Sequence, residues 1–120
     1  MSDLAKKKCL PCQGGVPPLN AEQMKPLYAQ LDTGWDIVRD HHLNKTYPFE
    51  NFAQGLDYVN RIGMVAESQD HHPDLHLSWG KVGVELWTHK IDGLTESDFI
   101  FAAKCDMVFR GFQAQLQAKN

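Results

Sequence analysis

The 120-residue sequence holds no apolar run approaching the ~18 residues that a membrane-spanning helix requires. It also has no surplus of positive charge. Twelve Lys and Arg stand against fifteen Asp and Glu, for a net charge of -3. That removes the electrostatic case for nucleic acid, where a basic face must meet phosphate. Cysteine is scarce and odd in number, at three, which argues against a small secreted scaffold stapled by disulfides. The polar start, Met1 to Lys8, shows no hydrophobic signal core, so the expectation is a protein that is not exported and works in the cytoplasm. There is no low-complexity tract.

What is present fits one soluble domain. A chain of 120 residues lies well below the ~250 at which cores divide, and above the ~70–80 below which staples are usually needed. Residues 1–19 read as a flexible arm and residues 20–120 as the domain. The arm carries Cys9 and Cys12 as a single Cys-x-x-Cys pair, followed by Gly14, Gly15, Pro17 and Pro18. A structural zinc site would need two further ligands, and a thioredoxin-type pair would open a helix in a βαβ unit. Three readings of the pair stay open: inert thiols, a metal with outside ligands, or a redox couple.

Asn20 and Gln23 have the spacing of a capping box for a helix over about 21–32, with Pro26 expected to kink it or move its start. Trp35 to Lys45 reads as strand, turn or bulge, and strand. A second helix is expected to start near Pro48. Its buried stripe would be Phe49, Phe52, Ala53, Leu56, Val59 and Gly63, at three-four spacing. Pro73 forbids that helix from continuing through His72. Leu75, Leu77 and Trp79 then alternate with polar residues, as do Val82, Val84 and Leu86, with Gly80-Lys81 between them, which predicts a hairpin. Thr95 and Asp98 have capping-box spacing for a last helix with a wide apolar stripe. The order αββαββα predicts an α+β layer, a four-stranded antiparallel sheet with three helices on one face.

Six histidines is a high count, and His71, His72, His76 and His89 fall within a short stretch. Histidine can give and take protons near neutrality. With Gly80-Lys81 as the turn, residues 72 and 89 fall nearly opposite at the open end of the hairpin, so these imidazoles should converge. Glu67, Asp70, Thr88 and Asp98 lie close enough in sequence to join them, and a carboxylate beside an imidazole would set its tautomer. Taken singly, each has an ordinary reading as a surface histidine, a helix-end acid or a cap. His41 and His42 are given that reading. Trp79 and Trp87 are core or interface residues, either of which could wall an aromatic ligand. A metal site competes. His72 and His76 would share a face on a helix, but in a strand they are ~13 Å apart. His71, His72 and His89 could still hold zinc.

At these residues the sequence resembles the pterin-4a-carbinolamine dehydratase (4a-hydroxytetrahydrobiopterin dehydratase) family. That pattern is Glu67, three residues, His71-His72-Pro73, five residues, Trp79, nine residues, His89, and then Asp98. The resemblance extends to Gly34-Trp35 and to the arm, and so spans the chain. It implies the same α+β fold and the removal of water from 4a-hydroxytetrahydropterin to give the quinonoid dihydropterin, which regenerates the cofactor of aromatic amino acid hydroxylases. It implies catalytic roles for His71, His72 and His89, and substrate-pocket positions for Glu67, Asp70, Thr88 and Asp98. It implies no metal and no organic cofactor, and a homodimer or homotetramer. Partners are then a small-molecule pterin, with no nucleic acid and no membrane. Members of the family in vertebrates also serve as dimerisation cofactors of a transcription factor. The alternative is therefore a pterin-binding or protein-partner module of the same fold.

Overall fold

The first capping signal sets the first helix. In a computed structural model of the chain, which describes residues 4–9 and 17–118, the Gln23 backbone N–H donates to the Asn20 side chain at 2.9 Å. The Gln23 side chain accepts from the Asn20 N–H at 2.9 Å. Helix α1 runs Ala21–Tyr28 and so stops short of residue 32. Pro26 sits inside it, without an N–H and with its ring against the preceding turn, and the chain leaves through tighter bonds from Gln30 to Leu27 and from Leu31 to Tyr28.

Strands β1 (Asp36–Val38) and β2 (His42–Pro48) form the first hairpin. Its turn holds Arg39 and Asp40 at φ 50° and 56°. Pro48 does not open the second helix as expected. It is the last residue of β2, paired with Lys81, where the missing N–H does little harm. The cap is Asn51, whose side chain accepts from the Gln54 N–H at 2.9 Å, and α2 runs Phe52–Gln69.

The buried stripe of α2 also differs from expectation. Gly55, Tyr58, Ile62 and Ala66 face the core, while Phe52 and Leu56 are 44% and 43% exposed. Helix α2 carries two apolar rows, and close approach to the sheet selects the one with the small residue. A Cβ on Gly55 would meet Leu77 Cδ1 at 2.9 Å. Tyr58 then donates its hydroxyl to the Cys105 carbonyl at 2.9 Å, tying α2 to α3 (Glu96–Ala118). Burial pushes the pKa of that phenol well up.

Strands β3 (Asp74–Ser78) and β4 (Lys81–Leu86) complete an antiparallel sheet of order β1-β2-β4-β3. Val82, Val84 and Leu86 on β4 and Leu43 and Tyr47 on β2 are buried on the helix side. The hairpin register differs from the expected one. Ser78 pairs with Lys81, so the turn is Trp79-Gly80, with Gly80 at φ 81°. Trp79 is therefore out of the strand and 72% exposed. The ladder ends at Asp74 and Glu85, and Thr88 bridges to Gly93 rather than facing β3.

Two further features hold the layers together. Asp106 on α3, 2% exposed, accepts from Trp35 Nε1, Tyr47 Oη (2.6 Å), Lys45 Nζ (2.8 Å) and the Asp32 N–H (3.0 Å). Within the segment read as an arm, Leu4–Lys6 form a 3₁₀ turn whose Leu4 and Ala5 are buried against α3, and Lys104 Nζ donates to the Ala5 carbonyl at 2.8 Å. Cys12 lies outside the described residues, and with it the reading of the Cys-x-x-Cys pair.

Candidate active site

The end of α2 begins the site. Asp70 takes the left-handed conformation, φ 51° and ψ 42°, which an Asp tolerates better than most residues. Its N–H and that of His71 both reach the Ala66 carbonyl. Pro73 then forces the chain into β3. This sharp exit throws His71 and His72 to one side, where they meet the loop that follows β4. His71, His72, Asp70, Thr88, His89 and Trp87 line one open cavity of about 530 Å³, joined by Cys9, Gln69, Pro73, Asp74 and Lys90.

Two of the three imidazoles are held by carboxylates. His71 Nε2 lies 2.7 Å from Asp98 Oδ1. Asp98 is fully buried, and its other oxygen accepts from the Thr88 hydroxyl at 2.8 Å and the Thr95 N–H at 2.9 Å. A carboxylate that only accepts requires a proton on His71 Nε2, which leaves Nδ1 as the basic nitrogen. His72 Nε2 lies 2.6 Å from Glu67 Oε2, with those side chains 56% and 79% exposed, so this pair is open to solvent and contributes little to stability. The His89 ring stacks on Trp87, centroids 4.3 Å apart and planes 12° off parallel.

The expected residues thus divide. His71, His72, His89, Asp70 and Thr88 line the cavity, whereas the buried Asp98 and the exposed Glu67 are outside its lining and hydrogen-bond the imidazoles. Convergence comes about differently from the expected strand pairing: the loop turned by the Thr88–Gly93 bridge carries His89 to the site. Of the two tryptophans, Trp87 walls the cavity and Trp79 does not. Cys9, Gln69 and Lys90 were not singled out for the site. Only the fold brings Cys9 there, through its N–H to Gln69 Oε1 at 2.9 Å. His76, on β3, is exposed and is not part of the cavity lining. Among the described residues no three His, Cys, Asp or Glu side chains gather as a metal-holding group.

Burial raises the Cys9 thiol to about 11, with Lys104 opposing and Asp98 adding to the effect. The thiolate is the reactive form. At pH 8 the folded protein should therefore alkylate at Cys9 about 100-fold more slowly than the unfolded chain, read by peptide mass spectrometry with Cys12 resolved separately. Because the folded pKa is the higher one, the stability linked to this group is complete below about pH 9 and is lost as pH rises toward 11. Comparable native and unfolded rates at Cys9 would contradict its burial.

A sheet of this order, backed by helices and with a histidine-lined cleft at one end, marks an α+β protein. Comparison with solved structures agrees. The fold matches the structure described as a transcriptional coactivator/pterin dehydratase from Brucella melitensis, with a TM-score of 0.70 and 28% identity over 76% of this chain and 97% of that one. A pterin dehydratase-like RuBisCO assembly factor of the alpha-carboxysome shares the fold at a TM-score of 0.54 and 20% identity, over 63% of this chain and 89% of that one. The family model for pterin 4 alpha carbinolamine dehydratase matches residues 17–108. The chain belongs to that family. A relative from Rubrobacter xylanophilus is 56% identical over 88% of this chain and 98% of its own length, and one from Alkaliphilus metalliredigens 54% over 88% and 96%. Both carry the name "Putative pterin-4-alpha-carbinolamine dehydratase".

Proposed function

We propose that this protein is a hydro-lyase that dehydrates 4a-hydroxytetrahydropterin to the quinonoid dihydropterin by histidine acid/base catalysis. Family membership supports the reaction. The observation that carries the mechanism is the gathering of three imidazoles on one open cavity, two of them gripped by carboxylates. About 530 Å³ falls within the usual range for small-ligand sites and suits a bicyclic ring.

Dehydration breaks the C4a–O bond. A proton must reach the departing hydroxyl oxygen so that it leaves as water. The electron pair that replaces the bond comes from the ring nitrogens, and a proton is lost from N5 or from the 3-amide side. Either His72, hydrogen-bonded to Glu67, or His89 serves as the acid. His71, with Nε2 committed to Asp98, offers Nδ1 as base and ring anchor. Asp70 and Thr88 border the substrate. The two 4a stereoisomers present the hydroxyl to opposite sides of the ring, and so can draw on different histidines.

Single replacement of His71, His72 and His89 by Ala is expected to lower stopped-flow dehydration rates by about 10²-fold or more in at least one variant, the scale of one general acid or base. Wild-type rates in all three would overturn the mechanism. The physiological role in this reading is recycling of the pterin cofactor of aromatic amino acid hydroxylases, in the cytoplasm. Self-association is part of this reading. It is supported by Phe52, Leu56 and Met64, all exposed on α2, and by the open sheet edges at β1 and β3. Light scattering should report a homodimer or homotetramer.

A further inference from the structure

His89 differs from the other two imidazoles in one respect. His71 and His72 each have a carboxylate within 2.7 Å, whereas among the described residues the His89 ring has no hydrogen-bond partner. Its orientation must come from the indole it stacks on and from the loop that carries it. Both are tied to a second histidine pair at the first hairpin. His41 Nε2 lies 2.7 Å from Asp92 Oδ1. Asp92, at φ 57°, closes the 88–93 loop through its N–H to the carbonyls of Thr88 (2.9 Å) and His89 (3.2 Å). The His41 and His42 rings also pack on Trp87, with centroids at 5.6 and 5.9 Å. The two Nδ1 atoms meet at 3.1 Å, and His42 Nε2 lies 3.7 Å from Glu85.

We infer that His41 and Asp92 form a brace between the β1–β2 turn and the 88–93 loop which, with His42 and Trp87, positions the His89 imidazole over the cavity. The inference rests on the reading of His89 as an acid or base. His41, His42 and Asp92 are positioning residues that act only through His89, whereas Trp87 also walls the cavity. The brace lies at the surface, with His41 33% and Asp92 87% exposed, so cutting it should spare the fold. Its effect should be smaller than the ~10²-fold that follows a full ångström of misplacement in a catalytic group.

The test is a mutant cycle in the full-length protein with 4a-hydroxytetrahydropterin as the probe. His41→Ala and Asp92→Gly (glycine keeps the left-handed backbone) should each lower kcat about tenfold, with KM changed by less than about twofold. The double variant should be no worse than either single one. In a His89→Ala background, His41→Ala should cost less than about twofold, because the group it positions is gone. Proton NMR supplies a readout independent of turnover. The His89 ring protons, shifted upfield by the Trp87 indole, should move toward free-imidazole values in His41→Ala. Trp87→Phe should keep part of that shift. Wild-type turnover in His41→Ala, or the same fold-loss in both backgrounds, would overturn the brace. A His89→Ala enzyme with wild-type turnover would instead bring down the catalytic assignment of His89, and the brace would be judged on the ring-proton shifts alone.

Discussion

Asp98→Ala should lower dehydration about 10²-fold and destabilise the protein by about 2–4 kcal/mol. Both effects come from one buried carboxylate. Its Oδ1 fixes His71, and its Oδ2 accepts from the Thr88 hydroxyl and the Thr95 N–H at the start of α3. Removing it takes the acceptor from His71 Nε2 and the Thr95 N–H at a position that is 0% exposed, and leaves the Thr88 hydroxyl only Thr95 Oγ1 at 3.0 Å. Asp98→Asn separates the two consequences. The amide can keep its oxygen toward the Thr95 N–H, so stability should recover in large part. Its NH₂ then faces His71 Nε2 and forces the proton onto Nδ1, the opposite tautomer. Turnover should therefore stay low in the Asn variant while its Tm approaches wild type. An Asn variant with wild-type kcat would show that the His71 tautomer does not matter.

Asp106→Ala should destabilise the protein by about 3–5 kcal/mol, with Tm lowered by about 10–20 °C. Asp106 is the shared acceptor for Trp35, Tyr47, Lys45 and the Asp32 backbone, and so joins the chain before β1, strand β2 and helix α3. The side chain of Lys45 is only 10% exposed, and without its partner it becomes a nearly buried, unpaired cation. The Lys45 ammonium also lies 4.6 Å from the Tyr47 ring centroid, and burial pushes the Tyr47 phenol well up, so the hydroxyl remains a donor to Asp106. Asp106 lies away from the cavity, so the fraction that stays folded should retain turnover at low temperature. Thermal unfolding followed by circular dichroism checks the first claim. A loss of less than about 1 kcal/mol would show that the four bonds are replaceable by water.

Residues whose structure depends on near neighbours were legible. Asn20 with Gln23, the break at Pro73 and the alternation of Val82, Val84 and Leu86 each rest on interactions a few residues long, and each is found. The His71-His72 and His89 grouping was legible because its spacing is that of a known family. Misread features depended on what lies across the core. The apolar row of Phe52 and Leu56 looked as good in sequence as that of Gly55, Tyr58 and Ile62. Only the close approach of Leu77 to Gly55 decides between them. The hairpin shifted because Trp79-Gly80 forms the turn, with Gly80 at φ 81°, and a two-residue shift leaves every side chain on the same face, so alternation alone could not tell the two registers apart. His41 and His42 looked ordinary because nothing in their own segment announces Asp92 or Trp87.

By itself, then, the chain of residues determined the αββαββα order, the presence of a set of histidines and carboxylates and the family to which the protein belongs, since local hydrogen bonding and motif spacing are written along the backbone. The tertiary structure decided which face of α2 is buried, how His89 arrives at the cavity and which carboxylate holds which imidazole. Those outcomes depend on pairs such as His71 with Asp98 and His41 with Asp92. Which carboxylate meets which imidazole is settled only when packing closes the distance.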